Sequence, residues 1–448
     1  MKRLAVWIGI VLLAVWLTAC SAIVPTRKTI RAQQIPLRYW SAGQNVSGEK
    51  NISAKLEQET GVQVEWIHPP EGQEQEAFSL MVVSNQLPDL IEYDWYHFSG
   101  GPDKAIDSKI ILSLNHFLET DLPNLKKLYA ERQEYAAEMQ TANGHYYMYP
   151  WILPEQKGEA VGACIRGEFL QCLPQTPEEW EIALETLKQS GTEIPLCLRI
   201  GESNRDLDYF AAMFDLAPSF YLEEETVKFG PYQARWKEFI QCLQRWQQRG
   251  LLYLADTKQA ADWIAEGNVG AAVGTGEEIE TWKRGVQETR HETEFVPVPL
   301  QEGRIKELLK SKTGVQPYGT AVSVQCRQPQ LACRLLEEEY GAAEKTLQEA
   351  TQTFARFQKA VPVGAKTLQE NGMLPLTYLT EKEKRDYDKI MQEVIPWCRQ
   401  ETVDFIMGNK MTEAWEQYHM ALQKMGIEKA LQIRQAAYER YRNRRNDW

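Results

Sequence analysis

This chain of 448 residues lacks the short motifs that announce most enzymes. Its six histidines (His68, His97, His116, His145, His291 and His419) form no HExxH pair and no other metal-ligand spacing. There is no GxSxG elbow to expose a nucleophilic serine, and no GxxxxGK[ST] loop to cradle phosphates. Gly274-Thr275-Gly276 lacks the third glycine of a dinucleotide fingerprint. Asp and Glu are too numerous for a glycosidase carboxylate pair to be picked out by counting. These absences argue against an enzyme and leave no metal and no cofactor to assign. The eight cysteines include no CxxC and no zinc spacing. Excess positive charge is also missing: 50 Lys and Arg face 62 Asp and Glu, a formal net charge of −12. That balance speaks against nucleic acid, whose binding rests on phosphate neutralisation, and against a basic membrane-binding face. Internal repeats and low-complexity tracts are lacking as well.

Long hydrophobic runs are confined to the start. Met1-Lys2-Arg3 is followed by an apolar stretch from Leu4 to Ala19, then Cys20. A charged start, a short apolar core and small residues before a break are the parts of a secretory signal. Sixteen residues fall short of the ~20 that a membrane-spanning helix needs. Leu17-Thr18-Ala19-Cys20 resembles a bacterial lipobox, in which the cysteine is diacylated and becomes the new N-terminus. We therefore expect a leader over 1–19, lipid on Cys20, a spacer over 20–36, and an extracytoplasmic protein held to a cell membrane of Gram-positive type. The remaining cysteines (Cys164, Cys172, Cys197, Cys242, Cys326, Cys333 and Cys398) are expected to be mostly free, buried thiols.

Beyond the spacer, strand and helix patterns alternate. Leu37–Trp40 reads as a strand, Ile52–Thr60 as a helix stopped by Gly61, and Val62–Trp66 as a strand. Ala77–Ser84 reads as a helix and Leu90–Tyr93 as a strand. This order predicts an α/β layer architecture with parallel pairing. Thr176-Pro177-Glu178-Glu179 starts a helix with a capping threonine and a first-turn proline. Helices follow at Arg235–Arg249 and Ala260–Glu266, strands at Val269–Val273 and Thr320–Val324, and an extended segment at Phe295–Pro299. From a capping box at Thr380–Glu383 onward the chain is nearly all helical. Trp180, Trp236, Trp246 and Trp415, among 14 tryptophans, read as packing, and the basic end Arg440, Arg442, Arg444 and Arg445 as a solvated helix terminus.

Several segments, in order over about 400 residues, resemble the family 1 extracellular solute-binding proteins of ABC importers. They are Glu59-Thr60-Gly61-Val62-Gln63-Val64, Leu87-Pro88-Asp89-Leu90-Ile91, Gly100-Gly101-Pro102, Asn143 to Pro150, Thr176 to Trp180, Glu266 to Ala272, Phe405 to Gly408 and Gln435 to Arg440. The resemblance implies a two-lobe, periplasmic-binding-protein-like (type II) α/β fold with three crossovers and a helical C-terminus. Lobe one would span 37–162 plus 297–347, and lobe two 163–296 plus 348–448. The crossovers would fall near Val161–Cys164, Phe295–Pro297 and Tyr340–Ala343. A departure occurs at Ala342–Lys359, which is shorter and more helix-like than the Gly- and Tyr-rich insertion of relatives.

Open α/β sheets bind ligands beyond the carboxyl ends of their strands, so the loops after strands supply the candidates. Trp40 opens the first such loop, with core packing as its competing role. Tyr93-Asp94-Trp95 suits a sugar, because aromatic faces stack on C–H groups while a carboxylate takes hydroxyl protons. Trp151, just before the first crossover, and Tyr318, before Gly319 at a strand entry, are further candidates. In lobe two the candidates are Asp208 and Glu277, with Trp397 and Arg399 on the late helix; a guanidinium fork can grip two hydroxyls. The expected function is capture of a small-molecule solute, an oligosaccharide, between two lobes by a monomer that delivers it to ABC permease subunits. The alternatives are a membrane-anchored glycoside-active enzyme and a solute sensor for a membrane kinase. Cys20→Ala is expected to move the protein from membrane to medium while leaving it competent to bind, as read by fractionation and immunoblotting.

Overall fold

The protein is described by a computed structural model covering residues 35–41, 46–153, 162–170, 172–201, 205–289, 295–298, 314–345, 374–410 and 414–446. The leader, Cys20, most of the spacer, Val161 and the segment 346–373 lie outside these residues.

Two five-stranded sheets organise the chain. The first contains β1 (Leu37–Trp40), β2 (Val64–Ile67), β3 (Leu90–Tyr93), β4 (Tyr149–Leu153) and β12 (Gly314–Val322), in the order β2-β1-β3-β12-β4. β1 pairs parallel with β2 and β3, as alternating strand and helix patterns require. β12 runs antiparallel to both β3 and β4, which the sequence reading did not foresee. The second sheet contains β5 (Gly162–Arg166), β6 (Ile194–Arg199), β9 (Leu252–Ala255), β10 (Val269–Gly274) and β11 (Phe295–Val298), in the order β11-β5-β10-β6-β9. β7 (Phe220–Glu223) and β8 (Thr226–Phe229) form a separate hairpin. Because β11 pairs with β5, the second sheet extends through Val298, and the return to the first sheet comes after the expected Phe295–Pro297.

Fifteen named helices surround the sheets in the described residues. α1 to α6 are Val46–Thr60, Glu74–Val83, Gly101–Asp107, Asn115–Thr120, Pro123–Glu131 and Gln133–Met139. α7 to α11 are Pro177–Gln189, Arg205–Ala212, Ala234–Gln248, Thr257–Ala265 and Gly276–Thr289. α12 to α15 are Pro329–Lys345, Glu381–Ile406, Trp415–Met425 and Ile427–Asn446. The capping boxes expected at Thr176/Glu179 and Thr380/Glu383 both close, which fixes the starts of α7 and α13.

Each sheet has its own core. Tyr39, Leu90, Ile91, Leu125, Ala321 and Leu335 are among the first. Trp180, Leu184, Phe210, Phe239 and Trp246 anchor the second. The far face of the second sheet packs Cys164, Cys197, Ala272, Ile279 and Phe295. Alternation along β10, with Ala271 and Val273 inward to one face and Ala272 to the other, divides these last two clusters. Trp180, Trp236, Trp246 and Trp415 are all buried, as expected. The seven described cysteines are free thiols; six are buried and Cys172 is exposed. Desolvation holds the buried Cys164 thiol up at about 12, so it stays protonated and packs as a small apolar group.

The chain's last helices join the two cores. Leu374 packs in the second core, whereas Leu376 and Tyr378 pack in the first. Tyr378 meets the Tyr147 hydroxyl at 2.8 Å. Arg440 and Arg444 correct the expectation of a solvated terminus, whereas Arg445 is exposed. Arg444 donates to the carbonyls of Gln140 (2.6 Å) and Ala142 (3.1 Å), just beyond α6. Arg440 donates to the Tyr378 carbonyl at 3.0 Å and to Glu383 at 2.6 Å, and Arg442 pairs with Glu225. Arg440 and Arg444 find their partners inside the fold because main-chain carbonyls and the Glu383 carboxylate converge on them.

Burial alone would raise the Glu383 carboxyl, but hydrogen bonds from Arg440 and the Thr380 amide outweigh it and hold it below the usual carboxylate range. A depressed carboxyl stabilises the fold above its unfolded pKa and loses that contribution as pH falls through the lower folded value. Glu383→Gln should therefore cost about 1 kcal/mol at pH 7, allowing for solvent screening of a partly exposed pair. The difference from wild type should shrink as pH falls below the ordinary glutamate range, in urea unfolding from pH 7 to pH 3.

Candidate functional site at the strand edges

In the first lobe the carboxyl ends of β1 and β3 meet the middle of β12 and the start of β4. Gly319 stands opposite Tyr93 on one side and Pro150 on the other. That register brings Tyr318 beside Trp151, ring centroids 4.6 Å apart at 64°. Trp40 and Tyr93 lie 6.5 Å apart at 58°. Tyr93 in turn stacks on Phe78 of α2 at 3.5 Å and 2°, and its hydroxyl donates to Gln75 Oε1 at 2.7 Å. Four sequence candidates, Trp40, Tyr93, Trp151 and Tyr318, thus share one strand edge. Tyr93 and Tyr318 are half-buried; Trp40 and Trp151 are buried, 4% and 6% exposed.

Trp95 is a correction. Its ring is entirely buried, and its Nε1 donates to the Ile91 carbonyl at 3.1 Å. It packs edge-on beneath Phe78 and Tyr93, supporting the aromatic surface from below. Asp94 is half-buried and occupied by its own loop: Oδ1 accepts from the His97 amide at 3.2 Å, and Oδ2 lies 2.7 Å from His97 Nδ1.

Beneath these residues lies one that sequence reasoning missed. Glu92 is 3% exposed and accepts from Ser41 Oγ at 2.9 Å. It also hydrogen-bonds the Tyr318 hydroxyl. Burial, then the Glu92 charge and hydrogen bond, push the Tyr318 phenol well above its ordinary value. Burial does the same to Tyr93, more than the Gln75 hydrogen bond offsets. Both phenols are therefore neutral hydroxyls near neutral pH. A carboxylate inside the short apolar strand Leu90–Tyr93 was the available signal, since a buried charge requires partners.

The second lobe's edge is organised by Arg199, at the end of β6. Its guanidinium takes both Asp206 oxygens, at 2.9 and 3.0 Å, then Glu278 Oε1 at 2.6 Å and the Val273 carbonyl at 2.7 Å. It also lies 5.5 Å over the Trp282 ring. Burial would depress the guanidinium, but Asp206 and Glu278 more than compensate and keep it charged. Of the sequence candidates, Asp208 is half-buried on α8, and Glu277 stands in the first turn of α11, its side chain outside the described set. Trp397 stacks on Tyr418 at 5.0 Å and 18°, at the margin of the second core, and Arg399 is half-buried on the same helix. Asp208 and Glu277 thus lie on α8 and α11, the two helices whose Asp206 and Glu278 bind Arg199, while Trp397 belongs with the helical C-terminus. No group of three or more His, Cys, Asp or Glu able to hold a metal occurs among the described residues.

Two α/β lobes with a helical C-terminus and aromatic residues at a strand edge form the type II periplasmic-binding-protein architecture. The sequence matches the bacterial extracellular solute-binding protein family over residues 43–345. The chain belongs to that family. A fructooligosaccharide ABC transporter substrate-binding protein, FusA, of Streptococcus pneumoniae is 27% identical over 247 residues, 48% of this chain and 44% of that protein. The match thus spans less than half the length of that relative. The structure of FusA in complex with kestose superposes with a TM-score of 0.64 at 19% identity, covering 91% of this chain and 100% of that one. An ABC-transporter-associated solute-binding protein described as HMO-binding, from Bifidobacterium longum infantis, gives a TM-score of 0.68 at 15% identity, covering 91% and 99%. These family members are binding proteins, in keeping with the lack of catalytic motifs in this chain.

Close approach at one glycine keeps the first lobe's edge together. A Cβ on Gly319 would sit against the Tyr149 carbonyl oxygen and 2.9 Å from Met148 Sδ. Gly319→Ala should cost roughly 1–3 kcal/mol by overpacking and pull Tyr318 from Trp151. Denaturant unfolding would report the first effect, and near-ultraviolet circular dichroism the second.

Proposed function

We propose that this protein is the lipid-anchored, extracytoplasmic receptor of an ABC importer and captures an oligosaccharide between its two lobes. The observation that carries the reading is the aromatic edge of the first lobe: Tyr93 and Tyr318 half-buried, framed by Trp40 and Trp151. Pyranose and furanose rings present C–H faces that stack on aromatic rings and hydroxyls that hydrogen-bond to polar side chains. The neutral phenols of Tyr93 and Tyr318 can both donate and accept. The oligosaccharide ligands of the similar proteins support the same class of solute.

In this reading the solute first meets the aromatic edge of lobe one, then draws in lobe two through Asp208, Glu277 and Arg399. Bridging both lobes favours the closed form by the solute's differential affinity for it. The closed monomer docks on permease subunits, and the lipid on Cys20 keeps it near them.

Calorimetric titration of the purified protein with kestose, nystose and maltotriose tests the reading. Binding of at least one is expected at micromolar to nanomolar strength, about −8 to −12 kcal/mol. Tyr93→Ala should weaken it roughly tenfold or more, the loss of one aromatic contact. Heat with a peptide or amino acid mixture, and none with any glycan, would overturn the sugar assignment.

A further inference from the structure

We propose that Arg199 is the positioning residue of the second lobe's half-site: it holds the starts of α8 and α11 in place before solute arrives. The inference rests on the two-lobe capture reading above, and it concerns a residue that touches no solute itself.

Three elements end at this guanidinium. β6 supplies Arg199, whose own backbone amide also donates to Asp206 at 2.8 Å, in the first turn of α8. The Val273 carbonyl at the end of β10 accepts from Nη2. Glu278 in the first turn of α11 accepts from Nη1 and closes a capping box with Thr275: the Thr275 amide donates to Oε2 at 2.8 Å, and the Glu278 amide donates to Thr275 Oγ1 at 3.2 Å. The turn that carries Glu277 is therefore tied to the sheet through Arg199, and so is the helix that carries Asp208. Packing leaves this turn little room to relax. A Cβ on Gly274 would come 2.6 Å from the Trp282 ring and 3.2 Å from Glu278 Oε2. The Asp206 side chain is 3% exposed and the Arg199 side chain 14%, so neither charge can turn to water without dismantling the edge. A planar fork with several donors is required to reach all of these acceptors at once; a lysine ammonium is a single point. Preformed geometry of this kind lowers the ordering cost of binding and shows mainly in the dissociation rate.

Hydrogen-exchange mass spectrometry on the purified protein without ligand provides the deciding measurement. Arg199→Lys should accelerate exchange about tenfold in peptides covering 205–212 and 273–280, local opening at the ends of α8 and α11. Peptides covering 87–95 in the first lobe should be unchanged. Glu278→Gln leaves the buried Arg199–Asp206 pair intact and should accelerate only 273–280, so the proposal is testable even if Arg199→Lys folds poorly. With kestose as probe, both variants should raise the dissociation rate about tenfold and change the association rate less than about twofold. Unchanged exchange at 273–280 in Glu278→Gln, or equal acceleration in both lobes for both variants, would overturn the role of Arg199. If wild-type protein does not bind kestose, the exchange measurement alone decides the matter, and calorimetry judges the sugar reading separately.

Discussion

β12 lies antiparallel between β3 and β4, and the first lobe's binding edge depends on that placement. A parallel strand there would point its carboxyl end the same way as β3 and bring Ser323 and Val324 to the edge. The antiparallel course instead brings Tyr318 beside Trp151 and over Glu92. Gly319 permits it, since the Tyr149 carbonyl occupies the space a side chain would need. Long-range pairings between residues more than 160 positions apart thus set which aromatic rings neighbour each other.

Charge is used in opposite senses at the two edges. In the first lobe a buried carboxylate, Glu92, collects hydroxyl donors from Ser41 and Tyr318. In the second a buried guanidinium, Arg199, collects carboxylates and a carbonyl. Each sits one layer behind the residues that would face a solute. Arg199 is paired with two carboxylates, while Glu92 is held by hydroxyl donors, so each desolvated charge is met by hydrogen bonds. The consequence is rigidity where the loops would otherwise be free, since removing either centre leaves its partners buried and unsatisfied.

Local patterning carried much of this fold in the sequence. The capping boxes at Thr176 and Thr380, the strands Leu37–Trp40 and Leu90–Tyr93, and the buried tryptophans all follow from neighbours a few residues apart. What sequence could not supply was the pairing of distant segments. The direction of β12, the membership of β11 in the second sheet, and the internal partners of Arg440 and Arg444 each depend on residues brought together from far along the chain. The candidate site divides in the same way. Tyr93 was legible as an aromatic after an apolar strand. Trp95 looked identical two residues later and proved to be core, because nothing local tells which ring turns inward. Glu92, inside one apolar strand, and Arg199, at the end of another, were visible as lone charges, but their partners lay out of reach.

The seam formed by α15 has a further property. Arg444 grips the first lobe through the main-chain carbonyls of Gln140 and Ala142, not through their side chains. Backbone carbonyls are present whatever residue occupies a position. A change of side chain at 140 or 142 therefore leaves both acceptors in place, whereas losing the guanidinium at 444 removes both bonds. At this contact the chemical requirement falls on one side of the seam alone.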